Sequence, residues 1–133
     1  MELAERIRRA GRVYIIGNGG SYANAAHIAN DLQACGIAAF TLDAPTLTAT
    51  ANDHGYEQVF ERWLKVVAQR GDMLIALSGS GRSPNIVRAV QEAERIGMDV
   101  HREFGAAQGL DMQASEERQI WLGHELMRCL RKT

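Results

Sequence analysis

Apolar residues recur along this chain in two alternating rhythms, short unbroken runs and longer stretches in which they return every three or four positions. The runs Val13-Tyr14-Ile15-Ile16 and Met73-Leu74-Ile75-Ala76-Leu77 are too short for stable helices. They predict strands covered on both faces, at residues 12–16 and 73–77. A weaker run predicts a second strand at 38–42, and another strand begins at 98–101 before dissolving into Arg102-Glu103. Helical spacing predicts a stub at 2–10 ended by Gly11, and a helix capped by Ser21 that runs to about Cys35. A short helix is expected at 46–51, and a longer one at 56–69, where Val59, Phe60, Trp63 and Val67 share a stripe. Ser83-Pro84 is a strong helix start, carried by Ile86, Val87, Val90, Ala93 and Ile96 to a stop at Gly97. A last helix is expected at 113–131.

Strands alternating with helices imply parallel pairing and a three-layer αβα sandwich, an α/β fold with a flavodoxin- or Rossmann-like sheet. The 133 residues, 46% of them hydrophobic, suffice for one domain spanning 1–133 with its own core. A formal charge of −1 gives no electrostatic footprint for nucleic acid. No run approaches the length of a membrane span, and the first residues do not resemble a signal peptide. Cys35 and Cys129 stand apart, as expected for a protein of the reducing cytoplasm.

The candidate chemistry lies where the two central runs end. Gly17-Asn18-Gly19-Gly20-Ser21 follows the first, and Ser78-Gly79-Ser80-Gly81-Arg82-Ser83 follows the second. Glycines admit a ligand close to the backbone, and the following helix starts offer unpaired N–H groups. Serines add donors without bulk. Two such cradles in one domain point to a compact hydroxylated anion, a phosphate on a sugar. A dinucleotide fingerprint fails at Tyr22, where a third glycine is needed, so no nucleotide cofactor is expected. Neither loop carries the Gly-Lys-Ser/Thr of a P-loop, and no nucleophile elbow is present.

Beyond the loops, His27 and Asp31 are four apart on one predicted helix, and so share a face. His124 lies in the last helix beside Gly123, a costly residue there that close packing or room for a ligand would explain. Glu116 precedes His124 by two turns and is rotated from it, so the pair cannot ligate one ion in a regular helix. Glu117 is nearly in line with His124, and Gln119 is a polar neighbour.

The first loop, the His27-Ile28-Ala29-Asn30-Asp31-Leu32 stretch, Asn52-Asp53 near Tyr56, and the segment "GDMLIALSGSGRSPNIVRAV" together resemble the SIS (sugar isomerase) domain. Within it the chain is most similar to the phosphoheptose isomerases, which convert sedoheptulose 7-phosphate to a glycero-manno-heptose 7-phosphate. That resemblance implies phosphate binding by Ser78, Gly79, Ser80 and Ser83, with Asn18, Gly19, Gly20 and Ser21 lining the sugar. Asn52 and Asp53 are candidates to touch substrate or to cap the following turn. It implies Asp31 as catalytic base, His124 as acid, and in some members zinc held at His27, Asp31, Glu116 and His124. It also implies a homodimer or homotetramer. The alternative within the same family is a non-catalytic module that senses sugar phosphates or contacts proteins. The chain departs from the family pattern in its short 97–111 segment, which predicts a sheet shortened at its C-terminal strands, and in its short first helix.

Overall fold

A computed structural model describes residues 1–131. Four parallel strands, β1 (Val13–Ile16), β2 (Ala39–Phe40), β3 (Met73–Ser78) and β4 (Asp99–Phe104), lie in the order β2-β1-β3-β4. Six helices surround them: α1 (Glu2–Arg9), α2 (Gly20–Ala34), α3 (Ala44–His54), α4 (Val59–Val67), α5 (Pro84–Ile96) and α6 (Met112–Leu130). Alternate strand residues point to opposite faces, so the sheet divides the core in two. Val13, Ile15, Met73, Ile75 and Leu77 pack with α1, α2 and α6. Tyr14, Ile16, Leu74 and Ala76 pack with α4 and α5. The expected three-layer α/β architecture is therefore present.

Several boundaries differ from the expected ones for local reasons. The strand expected at 38–42 pairs only at Ala39 and Phe40, because Thr41 instead turns its hydroxyl to donate to the Ile15 carbonyl. The helix expected at 46–51 is longer. Asp43 caps it by accepting from the Thr46 N–H, and Pro45 occupies the first turn. The helix expected at 56–69 divides into a 3₁₀ turn at Tyr56–Gln58 and α4. Ser21 is not the cap of α2. That place belongs to Gly19, whose φ of 58° and ψ of −122° suit glycine.

The strand expected to dissolve at Arg102-Glu103 is complete, pairing with β3 from Asp99 through Phe104. Its polar residues are accommodated rather than excluded. Burial favours a raised pKa at Glu103, but donation by His101 and Gln108 and the positive charge of Arg118 outweigh it and hold the carboxyl low. Among the described residues, β4 pairs with β3 alone. The carbonyl of Val100 accepts from the Arg6 guanidinium, and that of Phe104 accepts from Gln108.

Arg6 also grips Asp99 through both carboxylate oxygens, at 2.9 and 2.7 Å, tying α1 to β4. The hydrogen bond from Arg6 holds the Asp99 carboxyl below the usual range. A depressed carboxyl stabilises the fold above its unfolded pKa and loses that contribution as pH falls through the folded value. Because Asp99 is half exposed, the effect is small. Asp99→Asn should cost under about 1 kcal/mol at neutral pH, and the difference should vanish in acid. Thermal unfolding of both proteins across pH measures this; a gap that widens in acid would contradict it.

Candidate functional site

Both glycine loops sit at the carboxyl ends of neighbouring central strands, β1 and β3. From there the chain leaves to opposite faces of the sheet, into α2 and into α5. Ligands of parallel sheets bind at such a divergence. A hollow of about 60 Å³ lies between the loops, lined by Asn18, Ser21, Ser78, Gly79, Ser80 and Ser83, with Leu77 and Met112. At roughly 10–15 Å³ per water centre, it has room for a small oxyanion.

The serines keep donors for such an anion. The hydroxyl oxygen of Ser78 accepts from the Gly81 N–H at 2.9 Å, and that of Ser80 accepts from the Arg82 N–H at 3.1 Å. Each hydroxyl therefore retains its own hydrogen to donate. Ser83 stands at the N-cap of α5 without making the side-chain capping bond expected of it, and it lines the hollow instead. Ser21 is buried and accepts from the Gln119 side chain at 3.0 Å. The Met112 thioether closes over the second loop, within 2.6 Å of where a Cβ on Gly79 would lie.

From this hollow a polar seam follows the contact between α2 and α6, which run parallel. Near the loop, the Glu116 carboxylate lies where a side chain at Gly20 would be. One turn on, Gln119 joins Ser21 to Asn24, whose amide donates to it at 2.8 Å. Further still, Gly123 meets Ile28; a Cβ there would stand 2.7 Å from Ile28 Cγ1, so close helix packing accounts for this glycine. Beside that contact, the rings of His27 and His124 approach edge to face, with centroids 5.7 Å apart.

His27, Asp31 and His124 offer one ligand atom each within 4.8 Å of one another. Asp31 is 8% exposed, and its Oδ2 is buried without a hydrogen bond. The His27 Nε2 lies 3.2 Å from that oxygen, but not in hydrogen-bonding alignment. An orphaned buried carboxylate oxygen between two imidazoles suits a cation, and this donor set suits zinc.

Glu116 does not join this group. It sits two turns back along α6, about 12 Å by helical rise, at the loop end of the seam. The exposed Asn52 and Asp53 hydrogen-bond to each other near the end of α3 and do not line the hollow. Asn85 and Tyr56 were not singled out as site residues by sequence reasoning, yet both hydrogen-bond to Asn18. The signal for Asn85 was only its place two residues past Ser83, inside the second motif.

Comparison with known proteins bears on this arrangement. A phosphoheptose isomerase of Desulfovibrio desulfuricans is 40% identical over 106 residues, covering 74% of this chain and 50% of that protein. The chain spans about half the length of the curated relatives it matches. A phosphoheptose isomerase structure from Neisseria gonorrhoeae superposes with a TM-score of 0.85 at 29% identity, covering 96% of this chain and 80% of that one. One from Francisella tularensis gives 0.86 at 26% identity, covering 97% and 82%. The SIS domain profile matches residues 2–101, from α1 into β4 and across both glycine loops, and the chain belongs to that family.

Proposed function

We propose that the chain is an aldose–ketose isomerase of phosphorylated sugars, acting on sedoheptulose 7-phosphate. The observation that carries this reading is the pairing of an oxyanion-sized hollow with a carboxylate–imidazole cluster further along the same helix. The seven-carbon substrate is taken from the relatives named phosphoheptose isomerase. His27 is six residues beyond Ser21 on α2, about 9 Å by helical rise, the scale of an extended seven-carbon sugar.

On this reading Ser78, Ser80 and Ser83 bind the phosphate, with the backbone of Gly79. Asn18 to Ser21 face the sugar. Anchoring the phosphate supplies remote binding energy that sets the reacting carbons near the cluster. Asp31 removes the proton from the carbon beside the carbonyl and returns it to the adjacent carbon. His124 moves the hydroxyl proton, so that the sugar passes through an enediol. The asparagine–aspartate pair at 52–53 is left without a role.

His27, Asp31 and His124 would hold a zinc ion, without Glu116. A bound ion would polarise the substrate oxygens as a Lewis acid. It would also occupy the lone pairs that proton transfer by Asp31 and His124 requires, so the two roles compete. A homodimer or homotetramer and a cytoplasmic location belong to the same reading; no helix among the described residues is long and apolar enough to cross a membrane.

The test is incubation with sedoheptulose 7-phosphate, following aldose formation with and without a zinc chelator. Turnover that survives chelation supports Asp31 and His124 as acid–base groups, whereas turnover lost and then restored by zinc supports the metal. Tight binding without turnover would favour a sensing module over the enzyme.

A further inference from the structure

The reciprocal hydrogen bonds between Asn18 and Asn85 link the two loops and have no place in the roles assigned above. The Asn18 amide donates to Asn85 Oδ1 at 2.8 Å, and the Asn85 amide donates back to Asn18 Oδ1 at 2.9 Å. The Tyr56 hydroxyl donates to that same Asn18 oxygen at 2.6 Å. Asn85 is 2% exposed, at the second position of α5, directly after the serine loop. Asn18 lies in the other loop and lines the phosphate-sized hollow. A larger hollow of about 320 Å³, which shares Asn18 and Ser83 with the first, is bounded also by Tyr56, Glu57, Pro84 and Asn85.

We propose that Asn85 is a positioning residue for sugar recognition: its amide pair with Asn18 fixes the first loop's donor against the second loop. The inference rests on the isomerase reading of the preceding section. An unpaired Asn18 side chain between two glycines would sample several rotamers, and ordering it on binding would cost affinity. The pair removes that cost in advance. It saturates the Asn18 oxygen with two donors and uses one of its two amide hydrogens, leaving the other for a substrate oxygen. Because the bonds cross from one loop to the helix that follows the other, they also set the spacing between the phosphate and sugar subsites.

The experiment measures binding of two probes, inorganic phosphate and sedoheptulose 7-phosphate, to the full chain and to three variants. Asn85→Ala should weaken the sugar phosphate about tenfold and inorganic phosphate less than about twofold, the size expected for losing one or two hydrogen bonds. Asn85→Asp supplies a readout that a purely structural role would not move. Its ionised carboxylate cannot donate to Asn18, but its protonated form can. Its deficit relative to the wild type at the same pH should therefore shrink as pH falls through the carboxylate range. Glu57, which borders the larger hollow, is common to both proteins, and its contribution cancels in that ratio.

Tyr56→Phe removes the outer bond from an exposed residue, and should cost about threefold for the sugar phosphate without disturbing the fold. Three results would overturn the proposal. They are unchanged sugar-phosphate binding in all variants, equal weakening of both probes, and an Asn85→Asp deficit that does not shrink in acid. Should the Asn85 variants fail to fold, an unchanged Tyr56→Phe overturns it alone. A wild type that binds phosphate but not the sugar phosphate overturns the isomerase reading, and this inference with it.

Discussion

Asp31→Asn and His124→Ala should each lower turnover of sedoheptulose 7-phosphate by about 10²–10⁴-fold, the usual contribution of a positioned acid or base. Inorganic phosphate affinity should change by less than about twofold, because neither residue lines the hollow between the loops. The asparagine is nearly isosteric and keeps the packing around the buried position. It cannot take up a proton at neutral pH, so the loss belongs to chemistry rather than to folding. Steady-state kinetics with calorimetric binding of phosphate separates the two. Full turnover in either variant would remove that residue from the proton-transfer scheme.

Gly123→Val should destabilise the protein by about 3 kcal/mol, towards the upper end of overpacking costs. A Cβ at this position already stands 2.7 Å from Ile28 Cγ1, and valine adds two methyl groups to it. Ordinarily, replacing a mid-helix glycine gains helix stability, so the sign of this prediction depends on the contact between α2 and α6. Ile28→Ala should recover part of the loss in the double variant, although alone it leaves a cavity at a side chain that is 1% exposed. Denaturant unfolding of the four proteins gives the coupling. Additive effects would place the strain elsewhere. The same variant should impair turnover, because His124 follows Gly123 directly and would be carried away from His27.

The fold was legible where local rules agree. The apolar runs at 13–16 and 73–77, the turn residues between elements and the Ser83-Pro84 start all pointed to alternating strands and helices. At β4 only the beginning was legible: a strand is expected to start at 98–101, but Arg102 and Glu103 give no strand signal. Register with β3 and the partners of Glu103 override propensity there. Within the candidate site, four-residue spacing placed His27 and Asp31 on one face, but their proximity to His124 depends on the parallel contact of α2 with α6. The same contact separates Glu116 from them, as its distance along α6 already implied. The Asn18–Asn85 pair spans 67 positions and exists only because β1 and β3 are neighbours, which no short-range pattern records.

The outer side of β4 has a consequence for how copies of the chain meet in solution. A border strand invites another chain to zip onto it when consecutive peptide groups stand free. Two carbonyls on this margin are already occupied, one by a guanidinium from the first helix and one by a glutamine amide. A strand added along this margin would first have to displace both side chains from those carbonyls, and the arginine is held there by its ion pair with Asp99.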